Sequence, residues 1–323
     1  MSRRESRLTR PQKKRGRRRI TEALGYLALI TVIILIVSLY YFPSQRAVKE
    51  SVKPEASVSQ AAIVDQLGAI YPNQDFIQSA YKDLTSAGFK VRIYVHDEVT
   101  IDFYRYLPSR GYKIIVLRVH SAIPLKELVR RSYPIKGEPV FLFTNEPYDK
   151  NRYLAEQLTD QIVQVQVTNS SPSYFGIGPE FVKQSMTGRF SKTLIILSSC
   201  AGLYSTDLAD ALIERGASAI ISWNVLVELS QTDEAIAFLL KQLFVEQLNL
   251  KQAVETTMST VGPDPKYGAT LLYYPAEAWD LPIKNLEAVE ASGLSFHNAP
   301  RSLSAAVSLR NDQFDCFRFI RLS

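Results

Sequence analysis

The sequence predicts an α/β fold built on a mostly parallel sheet, and two apolar runs carry most of this prediction. Residues 193–197 read Thr-Leu-Ile-Ile-Leu, and residues 113–119 read Lys-Ile-Ile-Val-Leu-Arg-Val. Both runs are short and rich in β-branched residues, which is typical of strands that are buried on both faces of a parallel sheet. We therefore expect the 323-residue chain to be organised around these two strands.

Strand and helix patterns alternate along the chain, which favours βαβ units. Before the first run, a helix is expected at 75–87, ending at Gly88, then a strand at 89–95 and a helix at 99–107. The further expected elements are strands at 139–144, 162–167 and 269–274, helices at 150–161, 236–247 and 251–258, and a Gly-rich turn at 174–179. This turn has no Lys-Ser/Thr after it, so it does not match a phosphate-binding loop.

The positive charge of the chain is concentrated at its start. Residues 1–20 hold ten of the 38 Lys and Arg but only one of the 32 acidic residues. The remainder is slightly acidic, so the charge gives no support to nucleic-acid binding by the folded part. Residues 1–19 are interpreted as a basic cytoplasmic tail.

An uncharged segment follows this tail. Residues 23–42 contain no Asp, Glu, Lys or Arg and end in Tyr-Tyr-Phe before Pro43. As a helix they would span about 30 Å, the thickness of the hydrocarbon core. We expect residues 20–42 to form one transmembrane helix that is not cleaved. Since basic flanks stay cytoplasmic, the globular part would lie outside the cytoplasm.

The rest of the chain divides into three further parts. Residues 43–60 are polar and rich in Ser, Lys, Glu and Pro, and we interpret them as a stalk. The α/β domain is expected at 61–284. The tail at 285–323 has no clear periodicity, and its structure stays open.

Two reactive side chains follow the two apolar runs. Cys200 comes after Ser198-Ser199, and His120 ends the other run. Open α/β sheets place their chemistry at the carboxyl ends of the strands. An imidazole there could take the proton of a thiol and so create a nucleophile. His96 is an alternative base. A packed, inert Cys200, or a disulfide between Cys200 and Cys316, are the alternatives to catalysis.

The segment 194–224 carries a family resemblance. It reads L-I-I-L-S-S-C-A-G-L-Y-S-T-D-L-A-D-A-L-I-E-R-G-A-S-A-I-I-S-W-N, with the Gly216-Ala217 turn and Trp223 at the end of the next strand. Together with the His120 strand, it resembles the caspase-like cysteine peptidases, including the CHAT-type prokaryotic members. The resemblance covers roughly residues 89–274. It implies a three-layer α/β/α caspase-like sheet, mostly parallel. In this chain the transmembrane helix predicted at 20–42 precedes that sheet.

The resemblance also implies roles for individual residues. Cys200 would be the nucleophile and His120 its base, and the N–H groups of Ser121 and Cys200 would form the oxyanion hole. Trp223, Asn224 and Val225 would contact a polypeptide substrate. The Asp-Glu-Ala of residues 233–235 also matches the family, and the short connection after Cys200 resembles the single-chain members.

One position departs from the family pattern. The family's histidine is usually followed by Gly, and this chain has Ser121. If the main chain there needs a positive φ, Ser would be strained and the oxyanion hole impaired. The expected function is a membrane-anchored cysteine endopeptidase that needs no cofactor or metal. The alternative is an inactive caspase-like domain that acts as a membrane-tethered binding or scaffolding module. A third hypothesis is an ordinary α/β binding domain.

Overall fold

The structure is a computed structural model that describes residues 28–37, 59–123, 137–168 and 171–281, and the main chain of 318–320. Residues 1–57 and 58–323 form two separate units. In the first unit, residues 28–37 form helix α1, and its large apolar side chains are 50–61% exposed. Ten helical residues span about 15 Å.

Helix α1 lies inside the predicted transmembrane segment 20–42. Within the described residues, the structure contains no helix that is long and apolar enough to cross a membrane. The flanking parts of that segment, 20–27 and 38–42, are outside the described residues, as are the basic tail 1–19 and nearly all of the stalk 43–60. The transmembrane helix therefore stays a prediction.

The second unit alternates strands and helices. Its strands are β1 (Gln60–Asp65), β2 (Lys90–Val95), β3 (Ile114–Arg118), β4 (Ser121–Ala122), β5 (Phe141–Pro147), β6 (Ile162–Gln166), β7 (Ser173–Ile177), β8 (Thr193–Ser198), β9 (Ala217–Trp223), β10 (Leu271–Tyr274) and β11 (Arg318–Ile320). Its α-helices are α2 (Gln74–Ser86), α3 (Ile101–Tyr106), α4 (Leu154–Leu158), α5 (Pro179–Gln184), α6 (Asp207–Glu214), α7 (Leu229–Phe244) and α8 (Leu250–Thr260).

Six strands form the main sheet, in the order β10-β9-β8-β3-β1-β2. All neighbours are parallel except β10, which pairs antiparallel with β9 at one edge. The predicted α/β fold with a mostly parallel sheet is confirmed. The sequence analysis does not predict strand β1. In the structure it lies between β3 and β2.

Helices cover both faces of the main sheet. Alternate residues of a strand point to opposite faces, so neighbouring residues of one strand pack against different helices. Ile196 of β8 belongs to an apolar cluster with helices α2, α7 and α8. Leu197, the next residue, belongs to a second cluster with α3, α5 and α6. Strands β3 and β8 are buried along their whole length, which explains why they read as continuous apolar runs.

A second sheet is built mainly from the chain between β3 and β8. Its order is β11-β6-β7-β5-β4, and every pair is antiparallel. Strand β11 lies in the C-terminal region 285–323 and pairs with β6. The chain passes from β3 of the main sheet to β4 of the second sheet through only Val119 and His120. His120 therefore lies in the short connection between the two sheets.

The Gly-rich turn expected at 174–179 is wrong, because most of this segment is strand β7. Gly176 pairs with Val163 of β6 and with Phe143 of β5. A Cβ at Gly176 would lie 2.6 Å from the Cγ1 of Val165. Glycine therefore occupies this strand position because a neighbouring side chain takes the space, and the local sequence cannot reveal that neighbour.

Candidate active site

The ends of β3 and β8 bring His120 and Cys200 to one edge of the main sheet. These strands are parallel neighbours, and Arg118 pairs in register with Ser198. His120 and Cys200 each follow this register pair by two residues. The main-chain N–H of Val119 also donates to the carbonyl of Ser198, at 3.3 Å. His120 and Cys200 therefore follow the ends of two adjacent strands at the same level.

Cys200 lies in a tight turn that is hydrogen-bonded to the end of β9 and the residues after it. Its side chain is partly exposed, and Sγ lies 3.3 Å from the carbonyl oxygen of Val227, to which it donates. Ala201 has a left-handed φ of 52°, and its N–H donates to the carbonyl of Val225 at 2.9 Å. A Cβ at Gly202 would collide with the hydroxyl of Ser222. Gly202 thus lets the turn pack directly against β9.

Ser121 joins the histidine segment to the cysteine turn. Its hydroxyl donates a hydrogen bond to the carbonyl oxygen of Cys200, and the residue is buried. Ser121 lies in the extended strand β4 and is not among the described residues with a positive φ. The main chain therefore does not need glycine here, and the expected strain of Ser at this position is absent.

The N–H of Ser121 points away from the neighbouring strand β5. Ser121 is paired with Leu142, and the N–H of Phe143 donates to the carbonyl of His120 at 3.0 Å. In an antiparallel pair, consecutive residues turn their main-chain groups to opposite sides. Because the carbonyl of His120 faces β5, the N–H of Ser121, on the opposite side of the same peptide group, faces the other way. This direction leaves the N–H outside the ladder, as an oxyanion donor requires.

The His120 ring is packed between two aromatic rings. Tyr71 meets it edge to face at a centroid distance of 6.0 Å, and Phe143 lies 5.5 Å away. The residue as a whole is half-buried, but its Nε2 atom is covered. Burial, and to a smaller extent the positive charge of Arg118, lower the pKa of His120 to about 4. The imidazole is therefore neutral at pH 7 and able to accept a proton.

A buried ion cluster lies directly before His120 in the chain. Arg118 is 1% exposed and contacts Asp65 at 2.7 Å and Asp233 at 2.8 Å, and it donates to the carbonyl of Tyr71 at 2.9 Å. Burial works against its charge, but Asp233 and Asp65 together raise the pKa of Arg118. Arg118 interrupts the apolar run of β3, and this charge is the sequence signal for the cluster. The sequence analysis does not predict the cluster.

The three predicted substrate contacts have partners within the fold. Trp223 is fully buried, and its indole N–H donates to the hydroxyl of Thr232 at 2.8 Å. The carbonyls of Trp223 and Val225 accept from the Cys200 turn. Asn224 exchanges hydrogen bonds with the main chain of Thr270. These contacts hold the cysteine turn against β9 and β10, and contact with a substrate stays a prediction.

The other candidate residues do not meet this site. His96 follows β2, which is three strand positions from β8 and therefore about 14 Å away. This separation excludes His96 as a base for Cys200 in this structure. Cys316 and His297 lie outside the described residues. In the part of the chain that the structure describes, no three His, Cys, Asp or Glu side chains form a group that could hold a metal ion.

Comparison with known proteins gives no assignment. No family model matches the chain, and no curated protein matches it.

Proposed function

We propose that the chain is a membrane-anchored, caspase-like cysteine endopeptidase with a His120–Cys200 dyad. The observation that carries the proposal is the equal offset of the two residues from the register pair Arg118–Ser198 on adjacent parallel strands. The hydrogen bond from Ser121 to the carbonyl of Cys200 supports it, since it ties the two segments together.

The proposed reaction uses these groups in order. His120 takes the thiol proton of Cys200, and the thiolate attacks the carbonyl carbon of a peptide bond. The negative charge that develops on the carbonyl oxygen is stabilised by the N–H groups of Ser121 and Cys200. The protonated imidazole then gives its proton to the leaving amine. Water hydrolyses the resulting thioester and releases the second product, which restores the thiol.

A second candidate function is an inactive caspase-like domain that acts as a membrane-tethered scaffold. Two observations favour it. The thiol of Cys200 donates to the carbonyl of Val227, and the pKa of His120 is about 4 because of burial. An imidazole with so low a pKa is a weak base at neutral pH. Catalysis therefore needs the thiolate to form beside the ring, where its negative charge would raise the pKa of His120.

The test is hydrolysis of a fluorogenic peptide library by the full chain. We expect turnover by the wild type and by Cys316→Ser, and none by Cys200→Ala. His120→Ala should reduce the rate by about 100-fold or more, because a positioned general base contributes about that much. Turnover that survives Cys200→Ala would contradict the proposal. A folded wild type that cleaves no peptide in the library would favour the scaffold.

A further inference from the structure

Gln66 holds the end of β3 through both its main chain and its side chain. It directly follows β1 and is 4% exposed. Its main-chain N–H donates to the carbonyl of Arg118 at 3.0 Å. Its side-chain Oε1 accepts the main-chain N–H of His120 at 2.9 Å. The amide of Gln66 is therefore a direct partner of the histidine main chain.

Asn145 of strand β5 holds Gln66 in turn. The Nε2 of Gln66 donates to Asn145 Oδ1 at 2.7 Å. The Nδ2 of Asn145 donates to the carbonyls of Gln66 and His96, at 2.9 and 3.0 Å. Each of these contacts joins a donor to an acceptor, and turning either amide over would set donor against donor. The network itself therefore fixes the orientation of both amides.

These contacts act at the point where the chain crosses between the sheets. The N–H of His120 is held by Gln66, from the end of the main sheet. The carbonyl of His120 accepts from Phe143, in the second sheet. Since Asn145 lies two residues after Phe143 on the same strand, the two amides link the sheets on either side of His120. The same contacts fix the peptide group that carries the N–H of Ser121.

We propose that Gln66 and Asn145 are positioning residues for His120 and set the direction of its ring toward Cys200. The proposal rests on the proposed dyad. Gln66 contacts the main chain of His120, and Asn145 contacts Gln66. Their effect on Cys200 would pass through the main chain of His120, so it should vanish when the imidazole is removed.

The experiment measures alkylation of Cys200 by iodoacetamide in the full chain carrying Cys316→Ser, which leaves one thiol. The variants are Gln66→Met, His120→Ala and the two combined. Methionine keeps the length of glutamine but makes no such hydrogen bonds. The matched control is Gln161→Met, because Gln161 is also buried and hydrogen-bonded through its amide, to Gln184 and Ser185. The thermal midpoint of each variant is recorded.

We expect Gln66→Met to slow alkylation by at least fivefold, and Gln161→Met to leave it unchanged. In the His120→Ala background, Gln66→Met should have no further effect. A similar loss in both backgrounds, or no loss in either, would overturn the positioning role. If His120→Ala alone leaves the rate unchanged, the dyad itself fails, and the positioning role fails with it.

Asn145→Ala is the second test. It replaces Gln66→Met as the test of positioning if Gln66→Met does not fold. It should slow alkylation by about twofold or more, and only when His120 is present. Gln66→Glu keeps the acceptor for the N–H of His120 but faces Asn145 Oδ1 with a carboxylate. Its rate should lie between those of the parent chain and Gln66→Met. A Gln66→Glu rate no faster than that of Gln66→Met would contradict the contact with His120.

Discussion

The hydroxyl of Ser121 donates a hydrogen bond to the carbonyl oxygen of Cys200, 79 residues further along the chain. This contact joins the first residue of the second sheet to the turn that follows β8 of the main sheet. It gives the side chain of Ser121 a structural role in the cysteine turn. The turn after β8 thus has a hydrogen-bond acceptor for the hydroxyl of Ser121.

The side chain and the main chain of Ser121 can be tested separately. Ser121→Ala removes only the hydroxyl and should cost about 1 kcal/mol of unfolding free energy. Ser121→Pro also deletes the N–H, which lies outside the β4–β5 ladder, so an edge strand can accept proline there. If that N–H stabilises the oxyanion, peptide turnover should fall about 100-fold. Ser121→Gly should keep turnover. Equal rates for the Ala and Pro variants would contradict the assigned oxyanion donor.

Arg118 is expected to matter strongly for stability. Arg118→Met would leave Asp65 and Asp233 buried without their counter-charge, and such a loss costs about 3–5 kcal/mol. The control is Lys251→Met, whose partner Glu255 is exposed, and which should cost less than about 0.5 kcal/mol. Urea unfolding at pH 7 measures both. A cost below about 1 kcal/mol for Arg118→Met would contradict the buried ion cluster.

The pKa of His120 is directly measurable, because the chain has only three histidines. In an NMR titration of histidine-labelled protein, one ring should titrate near pH 4, since burial disfavours its charged form. That signal should disappear in His120→Asn. If the signal that His120→Asn removes titrates near the ordinary value of 6.5 instead, the imidazole is solvated.

The same shift makes a prediction about acid stability. The unfolded chain binds a proton at His120 below about pH 6.5, whereas the folded chain does so only near pH 4. Stability is therefore lost as the pH falls through this window, by up to about 3 kcal/mol at pH 4. His120→Asn should lose less than the wild type between pH 7 and 4. Equal losses would contradict the folded-state pKa.

Several elements of the fold were predictable because their signal is local. Strands β3 and β8 are buried throughout and so appear as unbroken apolar runs. The prediction of a turn at β7 is wrong because Gly176 makes room for the side chain of Val165 on another strand. The local sequence does not show that contact. His120 and Cys200 could be paired because strand ends share one edge. Gln66 could not be found, since its side-chain oxygen accepts from the main-chain N–H of His120, and no sequence motif records such a contact.

The proposed membrane orientation makes a prediction about whole cells. The basic residues 1–19 should keep the N-terminus cytoplasmic, and the domain that begins near β1 should lie outside. Protease added to intact cells should then remove the domain, while a tag on residue 1 stays protected. A cytoplasmic marker protein serves as the control for cell integrity. A protected domain would overturn the outward orientation.

The proposed activation of Cys200 by His120 can be measured by covalent labelling of the thiol. Full chains carrying Cys316→Ser, with and without His120→Ala, would be treated with an electrophilic peptidyl ketone, and the rate of modification at Cys200 followed by mass spectrometry. If His120 activates Cys200, labelling should be about 100-fold slower or more without the imidazole. Equal labelling rates in the two chains would contradict it.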